Sequence, residues 1–362
     1  MGGGGTAGAG GSVGGGGSAG AAGSAGSGPV ADPTLLSETG LFADMATQTL
    51  AEGVYAFEPQ YKLWSDTAGK RRWAYLPPGA KIKTDGPLGM DYWTYPAGFK
   101  LWKEFERDGK VIETRLLMKR SVGRGDWYMV AFKWNADGMD AVALPAGEKN
   151  AMGTAHDIPT GDECKTCHAS MYDNALGFSA LQLAHSIAGS LNLTQMEAMG
   201  WLSAPPAAAP ALPGNDVTKA AFGYLHANCG MCHNNASNVY STKASLDLWT
   251  HLDQVATVET TRAWLSMVCD EWPGPNGVLD KGDPIKACTA GHATGAPVEA
   301  ELSTMERRVV PGMPAMSAVH ELMSLRGGVG DNMKQMPPLG TEVVDDMGLG
   351  EVDAWINSLP VQ

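Results

Sequence analysis

No run of about 18 apolar residues occurs in this chain, although 44% of its 362 residues are apolar, so the sequence supplies cores without a bilayer-spanning helix. A charged start followed by an apolar stretch is also missing, and no export leader is visible. Basic residues are in the minority, 26 Lys/Arg against 39 Asp/Glu for a net charge of −13, which argues against nucleic acid, whose phosphates select basic surfaces. The deficit is uneven. Residues 60–150 carry 16 Lys/Arg against 11 Asp/Glu, whereas residues 151–362 carry 10 against 23. An acidic surface of this kind aids solubility and can also steer the chain towards a basic redox partner. Cysteine is scarce as well, with six residues in all.

Four of those six stand in two copies of one pattern, Cys164-Lys165-Thr166-Cys167-His168 and Cys229-Gly230-Met231-Cys232-His233. C-x-x-C alone also serves zinc and thiol redox centres, but neither needs a His directly after the second Cys. With that His, the spacing is the one at which two thiols form thioethers to one haem while the His supplies the proximal iron ligand. The expectation is two covalently bound c-type haems, with His168 and His233 as iron ligands. Covalent haem implies export, to the periplasm or to an outer-membrane or cell-surface position, and a chain that begins after processing. In that oxidising setting Cys269 and Cys288 are expected to pair as a disulfide.

Length allows two or three domains, and the expected class is multidomain α+β: an antiparallel β-rich N-terminal domain followed by mainly α-helical cytochrome c haem domains. Residues 1–32 read as a disordered tether, nearly all Gly, Ala and Ser over 1–28, too poor in apolar surface to offset the entropy of ordering. The tether is like the spacer of bacterial lipoproteins, so a lipid anchor in the native precursor is a further expectation. Residues 33–155 read as the β-rich domain. Phe99 to Arg107 and Lys110 to Lys119 flank the hairpin signal Asp108-Gly109, Trp127 to Asn135 precedes another Asp-Gly pair at 137–138, and Arg72 to Leu76 and Asp91 to Tyr95 are shorter runs. Its aromatics, among them Trp73, Trp102, Trp127 and Trp134, are expected to fill the core rather than form a ligand platform.

Residues 156–216 form the first haem module and a Pro/Ala linker. For the sixth ligand of that haem His185, Met199, Met196 and His156 are candidates, and the residues leave the choice open. Residues 217–362 form the second module, with an insertion over 240–305. Lys219 to Asn228 is a helical stretch that delivers the second motif, and His226 on it reads as a packed rather than ligating side chain. Asp270, Asp280 and Asp283 in the insertion lack EF-hand spacing and read as an ordinary acidic loop. Ser317 is an N-cap candidate, and Val352, Trp355, Ile356 and Leu359 give a terminal helix one apolar face. Met336, before Pro337-Pro338, is held in stiff extended backbone and is the expected sixth ligand of the second haem.

The order helix into C-x-x-C-H, Pro311-Gly312 turn into a helix, Met336-Pro337-Pro338 and a terminal helix with Trp355-Ile356 resembles the bacterial class I c-type cytochrome domain over residues 217–362. The whole arrangement is similar to secreted proteobacterial dihaem cytochromes, whose β-rich module has patches like Trp64-Ser65-Asp66, Arg72-Trp73 and Trp102-Lys103-Glu104-Phe105. Met313 departs from the usual Pro-Gly-Asp-Pro turn, and the first module has no Met-Pro-Pro counterpart. The resemblance implies His233/Met336 ligation and electron transfer between redox protein partners. Two other functions stand beside it: a dihaem peroxidase or oxygenase using an open position on the first haem, and a surface binding or sensor protein that recognises a partner through an exposed aromatic patch on the β domain.

Overall fold

The computed structural model describes residues 1–2, 32–242, 246–269, 307–327 and 335–361. The Gly-rich stretch 3–31, Cys288 and the aspartates 270, 280 and 283 lie outside the described residues. Pro33–Gln362 forms one compact unit.

Eight strands come first. β1 (Phe42–Asp44) pairs with β2 (Thr49–Leu50), and six more make an antiparallel meander in chain order: β3 (Val54–Ala56), β4 (Gly69–Tyr75), β5 (Lys100–Arg107), β6 (Lys110–Lys119), β7 (Trp127–Trp134) and β8 (Ala141–Ala143). The expected hairpin lies at the centre. Asp108 (φ 53°) and Gly109 (φ 72°) both adopt the left-handed conformation that a two-residue turn with the right twist requires. Gly138 turns β7 towards β8 with φ 68°. Asp91 to Tyr95 is not a strand; a short 3₁₀ turn, Gly89–Asp91, precedes a single bridge from Thr94 to Lys83.

Both faces of the meander are covered. Trp73, Trp102, Leu116 and Val130 lie directly opposite one another across four strands and pack under Leu36, Leu41 and Phe42. The indole of Trp102, 1% exposed, donates to the Thr39 hydroxyl at 3.1 Å, which removes the cost of burying its N–H. The next row, Ala74, Leu101, Leu117 and Met129, faces the other way and packs against Phe178, Leu183, Met196 and Trp201 from the following segment.

Among the described residues, that segment and the rest of the chain hold eight helices: α1 (Gly161–His168), α2 (Ala180–Leu183), α3 (Leu193–Ala198), α4 (Asp216–Asn228), α5 (Asn238–Thr242), α6 (Arg262–Val268), α7 (Ala318–Ser324) and α8 (Asp346–Ser358). Only α4 and α8 reach 13 residues; the others have eight or fewer. The expected mainly α-helical haem domains are therefore corrected: beyond residue 156 the described chain is short helices and loops around one helix pair. Moreover, among the described residues no group of three or more His, Cys, Asp or Glu converges as a metal-binding cluster. The physical reason is punctuation by Pro and Gly, which end helices by removing a donor or by favouring left-handed backbone. Pro205, Pro206, Pro210 and Pro213 separate α3 from α4, and Gly327 and Pro337-Pro338 lie between α7 and α8.

α4 and α8 cross closely, with the edge of Trp355 against Phe222 at 5.1 Å and Gly348 under the Tyr224 ring, where any Cβ would overlap it. Val352, Trp355 and Ile356 are buried, as their spacing predicts. Asn215 and Asp345 cap these helices by accepting from the N–H groups of Thr218 and Gly348. Ser317 precedes α7 but makes no side-chain cap; its hydroxyl instead accepts from the Val310 N–H at 2.8 Å and donates to the Met313 carbonyl. No helix among the described residues is long and apolar enough to cross a membrane.

Candidate functional site

The first motif occupies the second half of α1. Thr160 and Glu163 form a reciprocal capping box at its start, and the helical period places Cys164, Cys167 and His168, at i, i+3 and i+4, on one face. The Nδ1 atom of His168 lies 2.7 Å from the Asn174 carbonyl oxygen. A carbonyl only accepts, so the proton sits on Nδ1 and the lone pair of Nε2 is left for a metal. Burial brings the pKa of His168 down to about 4, helped by the Lys103 and Arg115 charges and opposed by the Asn174 bond, and the net shift favours the neutral ring.

The second motif continues the helical path beyond α4. The N–H groups of Cys232 and His233 both donate to the Cys229 carbonyl, at 3.0 and 2.9 Å, and the His233 carbonyl accepts from Leu248 at 2.8 Å. Gly230 is required by a close approach: a Cβ there would stand 2.7 Å from the His226 carbonyl oxygen and 3.0 Å from that of Leu248. Burial pushes the Cys229 thiol up to about 12.

The two motifs meet. Cys167 and Cys232 pack against the same small cluster, and the interaction between their thiols brings the first down to about 7 and raises the second. Asn234 fastens the junction, its Nδ2 donating to the Gly230 and Met231 carbonyls at 2.9 and 3.1 Å and reaching the Ser170 carbonyl at 3.4 Å. Around them lie Tyr92, Met171, Met231 and Trp249, with Tyr92 stacked on Trp249 at 5.8 Å. All four cysteines are free thiols, while Cys269 is disulfide-bonded; Cys288, its expected partner, lies outside the described residues. This neighbour relationship was not legible in the sequence, where 65 residues separate Cys164 from Cys229.

No protein-family model, curated protein or solved structure matches this chain.

The four residues expected as candidates for a sixth ligand at the first motif are placed apart from its neighbourhood or are already engaged. His156 is buried with Nε2 2.7 Å from Glu113. Met196, fully buried, packs in the core with Phe178 and Trp201, away from the cluster that holds Cys167. Met199 is 38% exposed at the end of α3. Nδ1 of His185 accepts from the Ile187 N–H at 3.2 Å, which leaves the neutral ring's proton on Nε2. The same logic applies to His226, whose Nδ1 accepts from Thr250 at 3.1 Å, in keeping with the packing role expected for it. Met336 is partly buried; its N–H donates to the Leu322 carbonyl at 2.8 Å, and its loop is tied by Gln335, which bonds Gly327, Pro337 and Thr341.

Two arrangements escaped sequence reasoning. His251 is held between Asp247 (3.1 Å) and Asp91 (3.3 Å), with Arg262 3.6 Å from Asp247. Burial alone would lower the pKa of His251, but the carboxylates outweigh it and the net value rises to about 9. The other is a row of cations on the sheet face beside α1: Arg72, Lys103 and Arg115 are direct cross-strand partners on β4, β5 and β6. The only signal was three basic residues at positions that the strand register makes neighbours, and register is not readable from one strand alone.

Proposed function

We propose that this chain is an exported dihaem c-type cytochrome that carries electrons between redox protein partners. The observation that supports it best is that the two motifs share one cluster, in which Cys167 and Cys232 both pack. Thioethers at these two positions would hold two cofactors within one compact unit, as a relay needs. Haem, when bound, supplies one-electron chemistry at its iron.

The donor set fits the group. Each motif offers two thiols at the i, i+3 separation and an adjacent imidazole, and the Asn174 carbonyl fixes the His168 tautomer through its outer nitrogen. Cys164, Cys167 and His168 would hold one haem, and Cys229, Cys232 and His233 the other. Met336 is the nominated sixth ligand of the second, which would fill its iron and favour transfer over substrate binding. The expected export and a lipid anchor through the Gly-rich stretch belong to this proposal. A basic partner is part of it too, since residues 151–362 are the acidic portion.

One observation favours a second reading, a peroxidase or oxygenase with an open position on the first haem: His156 and Met196 are committed elsewhere. Low-temperature electron paramagnetic resonance of the oxidised protein separates the two. Two low-spin haems support the carrier; a high-spin first haem supports the enzyme. The binding-protein alternative called for an exposed aromatic patch, but Trp102 and Trp134 are buried and Trp127, partly buried, donates to Asp173 at 3.1 Å.

A further inference from the structure

Between β3 and β4 the chain leaves the sheet and runs across α2 and α4. The N–H groups of Gln60 and Tyr61 donate to the main-chain and side-chain oxygens of Gln182 at 2.9 and 3.0 Å, and the Tyr61 ring lies over Gly223, where any Cβ would overlap it. Residues 62–66 then bridge two parts of the chain that are far apart in sequence. On one side stands Asn228, 5% exposed and next to Cys229: its Oδ1 accepts from the Trp64 N–H at 2.7 Å, and its Nδ2 donates to the Lys62 carbonyl at 3.1 Å. On the other side is the loop that follows Met336. The Asp66 carboxylate accepts from the N–H groups of Glu342 and Val343 at 2.9 and 3.0 Å, and the Trp64 indole donates to the Val343 carbonyl at 3.1 Å. Main-chain N–H groups bonded to a carboxylate make the charge-assisted, stronger kind of hydrogen bond.

The bridge is anchored to the sheet behind it. Nζ of Lys70 on β4 donates to the Leu63 carbonyl at 2.8 Å, and Arg107 on β5 donates to the Asp66 carbonyl. In front it reaches Met336 through one guanidinium: Nε of Arg326 donates to the Val343 carbonyl at 3.3 Å, while Nη1 donates to the Met323 and Met336 carbonyls at 2.9 and 3.4 Å. Gln335 completes the connection, its Nε2 donating to the Pro337 and Thr341 carbonyls at 3.0 and 3.2 Å. Asn228, beside the second motif, and the loop that carries Met336 are therefore tied to the same five residues.

We propose that residues 62–66 are a clamp that holds the Met336 loop at the second attachment motif, with Asp66 the positioning residue for Met336. This rests on the dihaem reading, in which Met336 is the sixth ligand of the second iron, and it gives the sheet a part in that site. A thioether on a loop binds more tightly when the loop is ordered beforehand, because the ordering cost is then not charged to the bond it makes. The clamp supplies that order from outside the loop.

The test is displacement of Met336 by imidazole in the intact, oxidised holoprotein, read at constant pH as loss of the weak thioether-to-ferric-iron absorption, in the native chain and in Asp66→Gly, Asp66→Asn and Trp64→Phe. Asp66 has left-handed backbone, φ 48°, which Gly and Asn both adopt, so neither replacement adds strain; Asn keeps an amide oxygen as acceptor and Gly has none. Asp66→Gly should lower the imidazole concentration at half-displacement by about tenfold, the equivalent of one hydrogen bond to a charged group, since the loop is then released in a larger share of molecules. Asp66→Asn should recover part of the difference, and Trp64→Phe, which removes only the indole bond to Val343, should shift the same way by less. A native half-displacement concentration in Asp66→Gly would overturn the clamp whatever happens to its denaturation midpoint, because a bond that serves the fold alone moves only that midpoint. Should Asp66→Gly fail to fold, a native value in Trp64→Phe overturns it instead. An Asp66→Asn variant no better than Asp66→Gly would overturn the role of the acceptor oxygens. A native chain without the thioether absorption would remove Met336 as a ligand and the clamp with it, a failure of the underlying reading that is seen before any variant is compared.

Discussion

Nδ1 of His168 and the carbonyl oxygen of Asn174 stand 2.7 Å apart, and Asn174 reaches that position with a left-handed backbone, φ 58°. Asn tolerates this conformation, whereas a β-branched residue does not. Asn174→Val should therefore lower stability by about 1–2 kcal/mol and disturb the orientation of His168, while Asn174→Gly should leave both near native. Chemical denaturation midpoints and the absorption spectrum of the first haem check this pair.

Gly230 lies inside the second motif, where the backbone of Leu248 and Trp249 passes directly over it. A methyl group has nowhere to go, since the nearest atoms are main chain rather than a movable side-chain end. Gly230→Ala should cost about 1–3 kcal/mol, the usual range for overpacking, and reduce the yield of doubly attached cofactor. Lys165→Ala in the first motif, on exposed helix, should do neither.

The His251 cluster gives a pH dependence whose sign is fixed. The pKa of His251 is raised in the folded chain to about 9 from 6.5, so its contribution is fully present below about 6.5 and is lost as pH rises through about 9. On that shift the loss is on the order of 3 kcal/mol. Stability measured at pH 6 and pH 9.5 should fall more in the native chain than in His251→Gln, which starts lower and changes less.

How much of this was legible in the sequence differs by feature. The hairpin at Asp108-Gly109, α4 and the buried face of α8 were readable because turn chemistry and helical period are local signals. The two C-x-x-C-H patterns are visible in the sequence because their spacing is local, and what they attach is the proposal made above. Extent was not: the helical signals suggest mainly helical domains, whereas among the described residues only two helices reach 13 residues and Pro and Gly confine the others to short pieces. The shared cluster of Cys167 and Cys232 and the row of Arg72, Lys103 and Arg115 depend on long-range packing and strand register, which no local pattern carries.

Met336 offers a separate check of the proposed second haem. Replacement by Ala should abolish the weak thioether-to-ferric-iron absorption and lower one reduction potential, because loss of a Met ligand stabilises oxidised iron. The Gln335 side chain, not Met336, ties the loop together, so the fold should survive the change.

The central claim is that the neighbouring motifs each carry a covalent haem. Intact mass of the chain, produced in a host that attaches c-type haem and measured after denaturation, tests it most directly. The account predicts a mass increased by two haem groups, reduced to one in Cys164→Ala/Cys167→Ala and to the other one in Cys229→Ala/Cys232→Ala. A chain that emerges at its bare polypeptide mass, with all four motif thiols open to alkylation, would contradict it.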